Sequence, residues 1–485
     1  MPLDLPDDLD AVLDLLCRRP DVEAPELVAV DAADRLVLAE ARALLAAAGP
    51  GDVAVLDDDY GALALGALAL GAPDVRVATD TVTSERALLL NAANVAAAEI
   101  ARVAAGIAPD SAADPTSTSP SGTPALREPS LRHRLTVHDP LSPAVVAGAR
   151  IVLARLPRSL DALAELADLV ADHTAPDVVL LATGRLKHMS RGMNDVLAVR
   201  FGEVTATLAH GKARALVAQR PTAATAGHHA FPRRARVEIP AGAGIDRAGV
   251  SSAGVTTLGV ASSLEVVAHG AAFAGTTLDI GTRALLDVLG ELVHGLETHR
   301  GGRGTKPSGS AESSSITEPS SITTSSGSTT SFSSPSPSVG PFFRVLDLGC
   351  GTGVLATAVA LRIPGASVVA TDRSAAAVLS AAATAAANGV GDRVATLRDD
   401  AAASVPDGSV DVVVCNPPFH AGAVVSTDIA EAMFRAAARV LRPGGELWVV
   451  WNSHLRYRPS LERVVGPTEQ ASRTPKFTVT RSVKR

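Results

Sequence analysis

"VLDLGCGTGVLA", residues 345–356, is the stretch on which the fold turns. An apolar run breaks at three alternating glycines and resumes at Val354, Leu355 and Ala356. That pattern predicts a strand, a tight turn and a helix. Gly349, Gly351 and Gly353 let the backbone come close to a ligand, and the helix start offers free N–H groups. The spacing is G-x-G-x-G, not the G-x-G-x-x-G of dinucleotide-binding folds. Asp347 also sets a carboxylate beside the turn. A carboxylate repels a pyrophosphate and suits a cationic, amine-bearing ligand. S-adenosylmethionine carries a sulfonium and an ammonium and no phosphate, so Asp347 and the three glycines are read as its binding loop.

The alternation continues outward. "ASVVATD", "RVATLRDD", "VDVVVCN" and "GELWVVWN" read as strands, with Ala-rich or amphipathic helices between them. The closing "KFTVTRSVKR" alternates like an edge strand. Such an order predicts an α/β fold with an open, mostly parallel sheet covered on both faces. Asp372 ends the second strand, where a carboxylate can take both ribose hydroxyls. Asp399 and Asp400 end the third, and Asp400 is the candidate for the adenine edge. Helix capping is the alternative reading of each acid, weaker for Asp372 than for Asp400.

"VCNPPFHAG", residues 414–422, lies at the carboxyl end of the fourth strand, beside the crevice where such sheets bind ligands. Two prolines stiffen the loop and remove two donors. Asn416 and the Pro417 carbonyl can accept N–H bonds from a planar amine, Pro418 holds the turn, and Phe419 offers a face for a base to stack on. The chemistry implied is in-line transfer to nitrogen, driven by positioning. A delocalised amine needs no base before attack, so His420 is read as loop structure.

The first half carries a faded copy of the same order. "DVAVLDDDYGALAL" stands where "RVLDLGCGTGVLAT" stands, and "VRVATD" parallels "SVVATD". "ARIVLARLPRSL" parallels "VDVVVCNPPFHAG". The spacing pairs Asp57 with Asp347 and Asp80 with Asp372. It also pairs Pro157 with Pro417 once a polar insertion near 108–135 is allowed for. This is an internal duplication in which the first copy lost its glycines and its Asn-Pro-Pro-Phe.

The expected division is a degenerate domain over 1–240 and a catalytic domain over 251–485. The second is interrupted at 301–340, where 21 of 40 residues are Ser or Thr. That segment has almost nothing to bury and is expected to be a flexible tether. Net charge is −7, yet from Arg435 to Arg485 eleven Lys/Arg face three Glu, and "GRLKHMSRGMN" (184–194) is also basic. A basic face on an acidic protein fits these counts, as does ordinary solvated surface. The three cysteines are too few and scattered for a disulfide framework or a zinc site. No apolar run is long enough to span a bilayer. A cytoplasmic monomer without metal is expected.

Taken together, "LDLGCGTGVLA", "VDVVVCNPPFHAG", "NSHLRYRPSLERVVG", "KFTVTRSV" and the upstream "FAGTTLDIGTRALLDVL" resemble the ribosomal RNA guanine-N2 methyltransferases. The resemblance is to the group of small-subunit methyltransferase C and large-subunit methyltransferase G. It implies two tandem Rossmann-like domains, the first degenerate. Asp347, Gly349, Gly351 and Asp372 would bind S-adenosylmethionine, and Asn416, Pro417, Pro418 and Phe419 would hold a guanine amine. The partner would be ribosomal RNA or a ribosomal subunit, met by Lys187, Arg191, Arg473, Lys476 and Arg481. Two rival readings are a protein glutamine-N5 methyltransferase and a non-catalytic RNA-binding or assembly module. Phe419 and the duplicated first half weigh against the former, and the intact glycine loop against the latter.

Overall fold

A computed structural model describes residues 7–23, 27–104, 134–225, 230–240, 263–292, 343–418 and 423–485. The segment 301–340, the polar insertion over 108–133, Phe419 and His420 lie outside the described residues.

Two seven-stranded sheets dominate. The first contains β1 (Val53–Leu56), β2 (Val75–Ala78), β3 (Leu135–Val137), β4 (Ile151–Arg155), β5 (Val179–Arg185), β6 (Phe201–Ala206) and β7 (Ala213–Pro221), in the order β3-β2-β1-β4-β5-β7-β6. A two-stranded antiparallel sheet of β8 (Arg233–Glu238) and β9 (Ser263–Ala268) follows. The second large sheet contains β10 (Phe343–Leu348), β11 (Ala366–Asp372), β12 (Val394–Arg398), β13 (Val410–Cys415), β14 (Leu441–Asn452), β15 (Thr468–Arg473) and β16 (Phe477–Val483). Its order is β12-β11-β10-β13-β14-β16-β15, the same topology again. In both sheets six strands point the same way, and only β7 or β16, the last strand but one in the order, runs against them. The internal duplication is therefore present in the fold.

The central strands are largely apolar because both of their faces are covered. Val412 and Val414 enter one core layer of the second sheet, and Val413 and Cys415 enter the other. Strand β8 and the residue after it send Val237 and Ile239 into the second copy's core, although they precede the expected boundary at 240.

Three sequence readings change. The closing strand β16 is not the edge. It sits between β14 and β15, and β15 forms the edge with the polar sequence TEQASR, which carries no strand signal. The pairing of aspartates between the copies also shifts. Leu56 stands opposite Ala78 and Ala154, just as Leu348 stands opposite Thr371 and Cys415. Val55 thus occupies the place of Asp347, and Asp57 that of Gly349. Asp57 even keeps a positive φ of 56°, against 78° for Gly349. By the same register Thr79 stands where Asp372 stands, so the first copy has lost both carboxylates. Pro157 then pairs with Pro418, not Pro417.

The copies join at these strand ends. Thr81 and Ser374 form an isolated antiparallel bridge. Val82 N donates to Arg373 O at 2.9 Å, and Ala375 N donates to Asp80 O at 2.9 Å. The Asp80 carboxylate accepts from Ala376 N at 2.9 Å. Arg398, at the end of β12, donates to Thr79 O and Asp80 O and pairs with Glu85 at 2.6 Å.

Candidate functional site

The chemistry-bearing stretches meet at the carboxyl ends of β10, β11, β12 and β13, around a cavity of ≈ 640 Å³. Gly349, Gly351, Asp372, Asp399, Asp400, Asn416, Pro417 and Pro418 all line it.

The glycine loop is tied to the neighbouring strand: Gly349 N and Cys350 N donate to Thr371 O at 2.8 and 2.9 Å. Gly351 N donates to Asp372 Oδ2 at 3.1 Å, and Ser374 N donates to Asp372 Oδ1 at 3.0 Å. A Cβ on Gly351 would meet nothing within 4 Å, so the loop passes the cavity with bare backbone. Gly353 differs. It does not line the cavity, and a Cβ there would come within 2.6 Å of the Ala381 Cα. It lets the helix Val354–Arg362 cross close to the helix Ala375–Ala387. Asp347 is fully buried behind the loop. One oxygen accepts from Ala356 N at 2.9 Å and the other, Oδ1, has no partner. Burial pushes its carboxyl up to about 7. Burial also raises Asp372, against the pull of the Ser374 and Gly351 N–H groups.

The two acids after β12 separate in role. Asp399 is spent on the loop, accepting from Asp400 N, Ser404 N and Ser404 Oγ at 2.6–2.8 Å. Asp400 is half-buried at the cavity wall. Ala401 and Ala402 follow with φ of 48° and 53°, a left-handed backbone that alanine seldom adopts.

Asn416 follows β13. Its Nδ2 donates to Asp279 Oδ2 at 3.0 Å and to Thr282 Oγ1 at 3.1 Å, and its Oδ1 is buried without a partner. Asp279 also caps the helix Ile280–Asp287, accepting from Gly281 N and Thr282 N. Asp279 and Thr282 were not among the residues expected from sequence. Their signal was present as an aspartate immediately before a short helix in "FAGTTLDIGTRALLDVL".

The first copy closes part of the same cavity with Pro20, Asp21, Val22, Thr83 and Arg158, and Phe273 stands exposed on the lining. Local sequence gives no sign of these, because only the joining of the copies brings them there.

Of the basic candidates, Lys187, Arg191, Arg473 and Lys476 are exposed. None of the five lines the cavity. Arg481 pairs with Glu446 at 2.5 Å and with Glu469 at 3.8 Å, inside the sheet. Among the described residues no cluster of His, Cys, Asp and Glu could hold a metal ion. No helix among them is long and apolar enough to cross a membrane.

Comparison with known proteins agrees with this layout. The family model "Methyltransferase small domain" matches residues 337–481, and "RLMG N-terminal domain" matches 10–117 and 125–222. The ribosomal RNA large subunit methyltransferase G of Ectopseudomonas mendocina is 35% identical over 334 residues, 69% of this chain and 70% of that one. Its counterpart in Pseudomonas syringae pv. syringae is 31% identical over 479 residues, 98% of each chain. Among solved structures, the T. thermophilus 16S rRNA N2 G1207 methyltransferase, in complex with AdoMet and guanosine, superposes with a TM-score of 0.56. It is 21% identical and covers 92% of both chains. The same fold thus extends over both copies, and the chain belongs to the ribosomal RNA large subunit methyltransferase G family.

Proposed function

We propose that this protein transfers a methyl group from S-adenosylmethionine to the exocyclic N2 amine of a guanine in large-subunit ribosomal RNA. The observation that carries this reading is the convergence of the glycine loop, Asp372, Asp400 and Asn416-Pro417-Pro418 on one cavity.

The residues present fit the methyl donor. A buried carboxylate oxygen of Asp347 without a partner lies behind the loop, and Gly351 leaves open space beside it. S-adenosylmethionine, when bound, supplies a methyl group on a cationic sulfur. Asp347 supplies negative charge behind the loop, Asp372 receives the ribose hydroxyls, and Asp400 meets the adenine edge. Asn416 Oδ1 and the Pro417 carbonyl accept the two N–H groups of the guanine amine, which aims the nitrogen lone pair at the methyl group. Both are acceptors, so they draw off the positive charge that grows on nitrogen in the transition state. Pro418 keeps the loop stiff, and Phe419 offers the face on which the extruded base stacks. A guanine inside a duplex cannot reach such a cavity, so the base enters unpaired or flipped. Lys187, Arg191, Arg473 and Lys476 meet the phosphates.

The test is genetic and kinetic. Large-subunit RNA from a strain lacking the protein should lose one N2-methylguanosine, and the parental gene should restore it. Asn416→Ala should lower single-turnover methylation at least a hundredfold, while RNA and methyl-donor affinities stay within threefold. A parental rate for Asn416→Ala would remove the amine-holding role.

A further inference from the structure

We infer that Asp279 and Thr282, which line the same cavity, are positioning residues for methyl transfer that act through Asn416. The inference rests on the amine-holding reading of Asn416 and extends it to the helix Ile280–Asp287, 134–137 residues earlier in the chain.

A free asparagine side chain offers an acceptor on one side and two donors on the other, and the two orientations differ by a half-turn. A site for an amine needs the acceptor. Here both amide hydrogens are spent, one on Asp279 Oδ2 at 3.0 Å and one on Thr282 Oγ1 at 3.1 Å. Asp279 Oδ2 already accepts from Gly281 N at 2.9 Å and Thr282 N at 3.2 Å, so the atom facing it must be a donor. The flipped amide would set oxygen against carboxylate. What remains is Oδ1, buried and unpartnered at the cavity wall. Gly281 permits this approach, since a Cβ there would stand 2.9 Å from Asn416 Oδ1 and 3.0 Å from Asp279 Oδ2. The three side chains thus turn an ambiguous amide into a fixed acceptor. An acceptor fixed before the base arrives costs no reorganisation in the transition state.

The helix cap and the orienting role can be separated. Serine caps helices about as well as aspartate but is too short to reach Asn416 as well. Valine in place of Thr282 keeps the shape and removes Oγ1. In the full-length protein, with protein-free large-subunit ribosomal RNA as probe, Asp279→Ser should lower the single-turnover rate at least tenfold. Thr282→Val should lower it at least threefold. The RNA and methyl-donor dissociation constants of both variants should stay within twofold of the parent. Combined with Asn416→Ala, each should lower the rate by less than twofold further, because the group it orients is gone. Multiplying effects, or a parental rate for either single variant while Asn416→Ala is impaired, would overturn the positioning role and leave the amine-holding reading standing. If Asp279→Ser does not fold, the Thr282→Val cycle decides alone. A parental rate for Asn416→Ala itself would instead overturn the reading on which both roles rest.

Discussion

Replacing Asp347 with asparagine should stabilise the protein relative to the parent progressively as pH rises from 5 to 8, while abolishing methyl-donor binding. The Asp347 side chain is fully buried, with Oδ2 accepting from Ala356 N and Oδ1 without a partner. Burial lifts its carboxyl to about 7; the Ala356 N–H pulls it down by less, and the nearby Asp372 charge adds to the lift. In an unfolded chain an aspartate titrates at about 3.9. Between those two values the folded chain holds a proton that the unfolded chain has released. The stability from this proton is fully present below about pH 4 and is lost as pH rises through about 7. Asparagine carries no charge at any pH and escapes that loss. At about 1.36 kcal/mol per pH unit, the advantage of Asp347→Asn over the parent should grow by about 2.5 kcal/mol from pH 5 to pH 8. The cost of packing the amide is the same at both pH values and cancels. Urea unfolding at pH 5, 6.5 and 8 would measure it by tryptophan fluorescence. The chain's two tryptophans, Trp448 and Trp451, are both buried on β14 of the sheet that contains Asp347. Calorimetry on the same samples should find no methyl-donor binding by the variant. A stability difference that stays flat across this range would refute the account of Asp347 as a buried, strained carboxylate.

Further outcomes follow from the site and the sheet around it. Gly353→Ala meets both a positive φ of 74° and the Ala381 backbone, and should cost about 3 kcal/mol or more in unfolding experiments. Gly351→Ala meets open space and should cost about 1–2 kcal/mol from its φ of 51° alone. Arg473→Glu and Lys476→Glu, both at exposed positions, should weaken RNA binding and flatten its salt dependence, with single-turnover chemistry nearly intact; fluorescence anisotropy at several salt concentrations would read this. Arg481→Glu should behave differently, because it leaves the buried Glu446 facing a like charge; a loss of about 1–3 kcal/mol in stability is expected, and a purely RNA-binding phenotype would contradict that.

The glycine loop and Asn416-Pro417-Pro418 were legible in the sequence because glycine and proline act locally. Each forces a backbone shape that neighbouring residues cannot supply. The carboxylates at the ends of β11 and β12 were legible for a similar reason, since a strand end is fixed by the apolar run before it. Asp279 and Thr282 were not, because their meaning depends on a strand 134–137 residues away. Arg158 and Thr83 reach the cavity only through the junction between the copies, which no local pattern encodes. Strand β15 was missed because an edge strand keeps its exposed residues polar. The shifted pairing of Asp57 and Asp80 has another cause. Aspartates recur at strand ends for capping, so like residues fall near like positions without occupying the same place.

The bridge between Thr81 and Ser374 has a further meaning. Under the register of the two sheets these residues correspond, as do Asp80 with Arg373 and Val82 with Ala375. The hydrogen bonds Val82 N to Arg373 O and Ala375 N to Asp80 O are therefore one bond and its mirror partner under exchange of the two copies. A contact in which residue i meets j while j meets i is the mark of a twofold homodimer. The join has the symmetry of an isologous dimer interface within a single chain. Each copy's joining strand end is already filled by its twin, so this face is closed to a second chain. Symmetry also explains what the decayed copy still does: it keeps only Gly61, in the place of Gly353, and remains the half that walls in the other half's cavity.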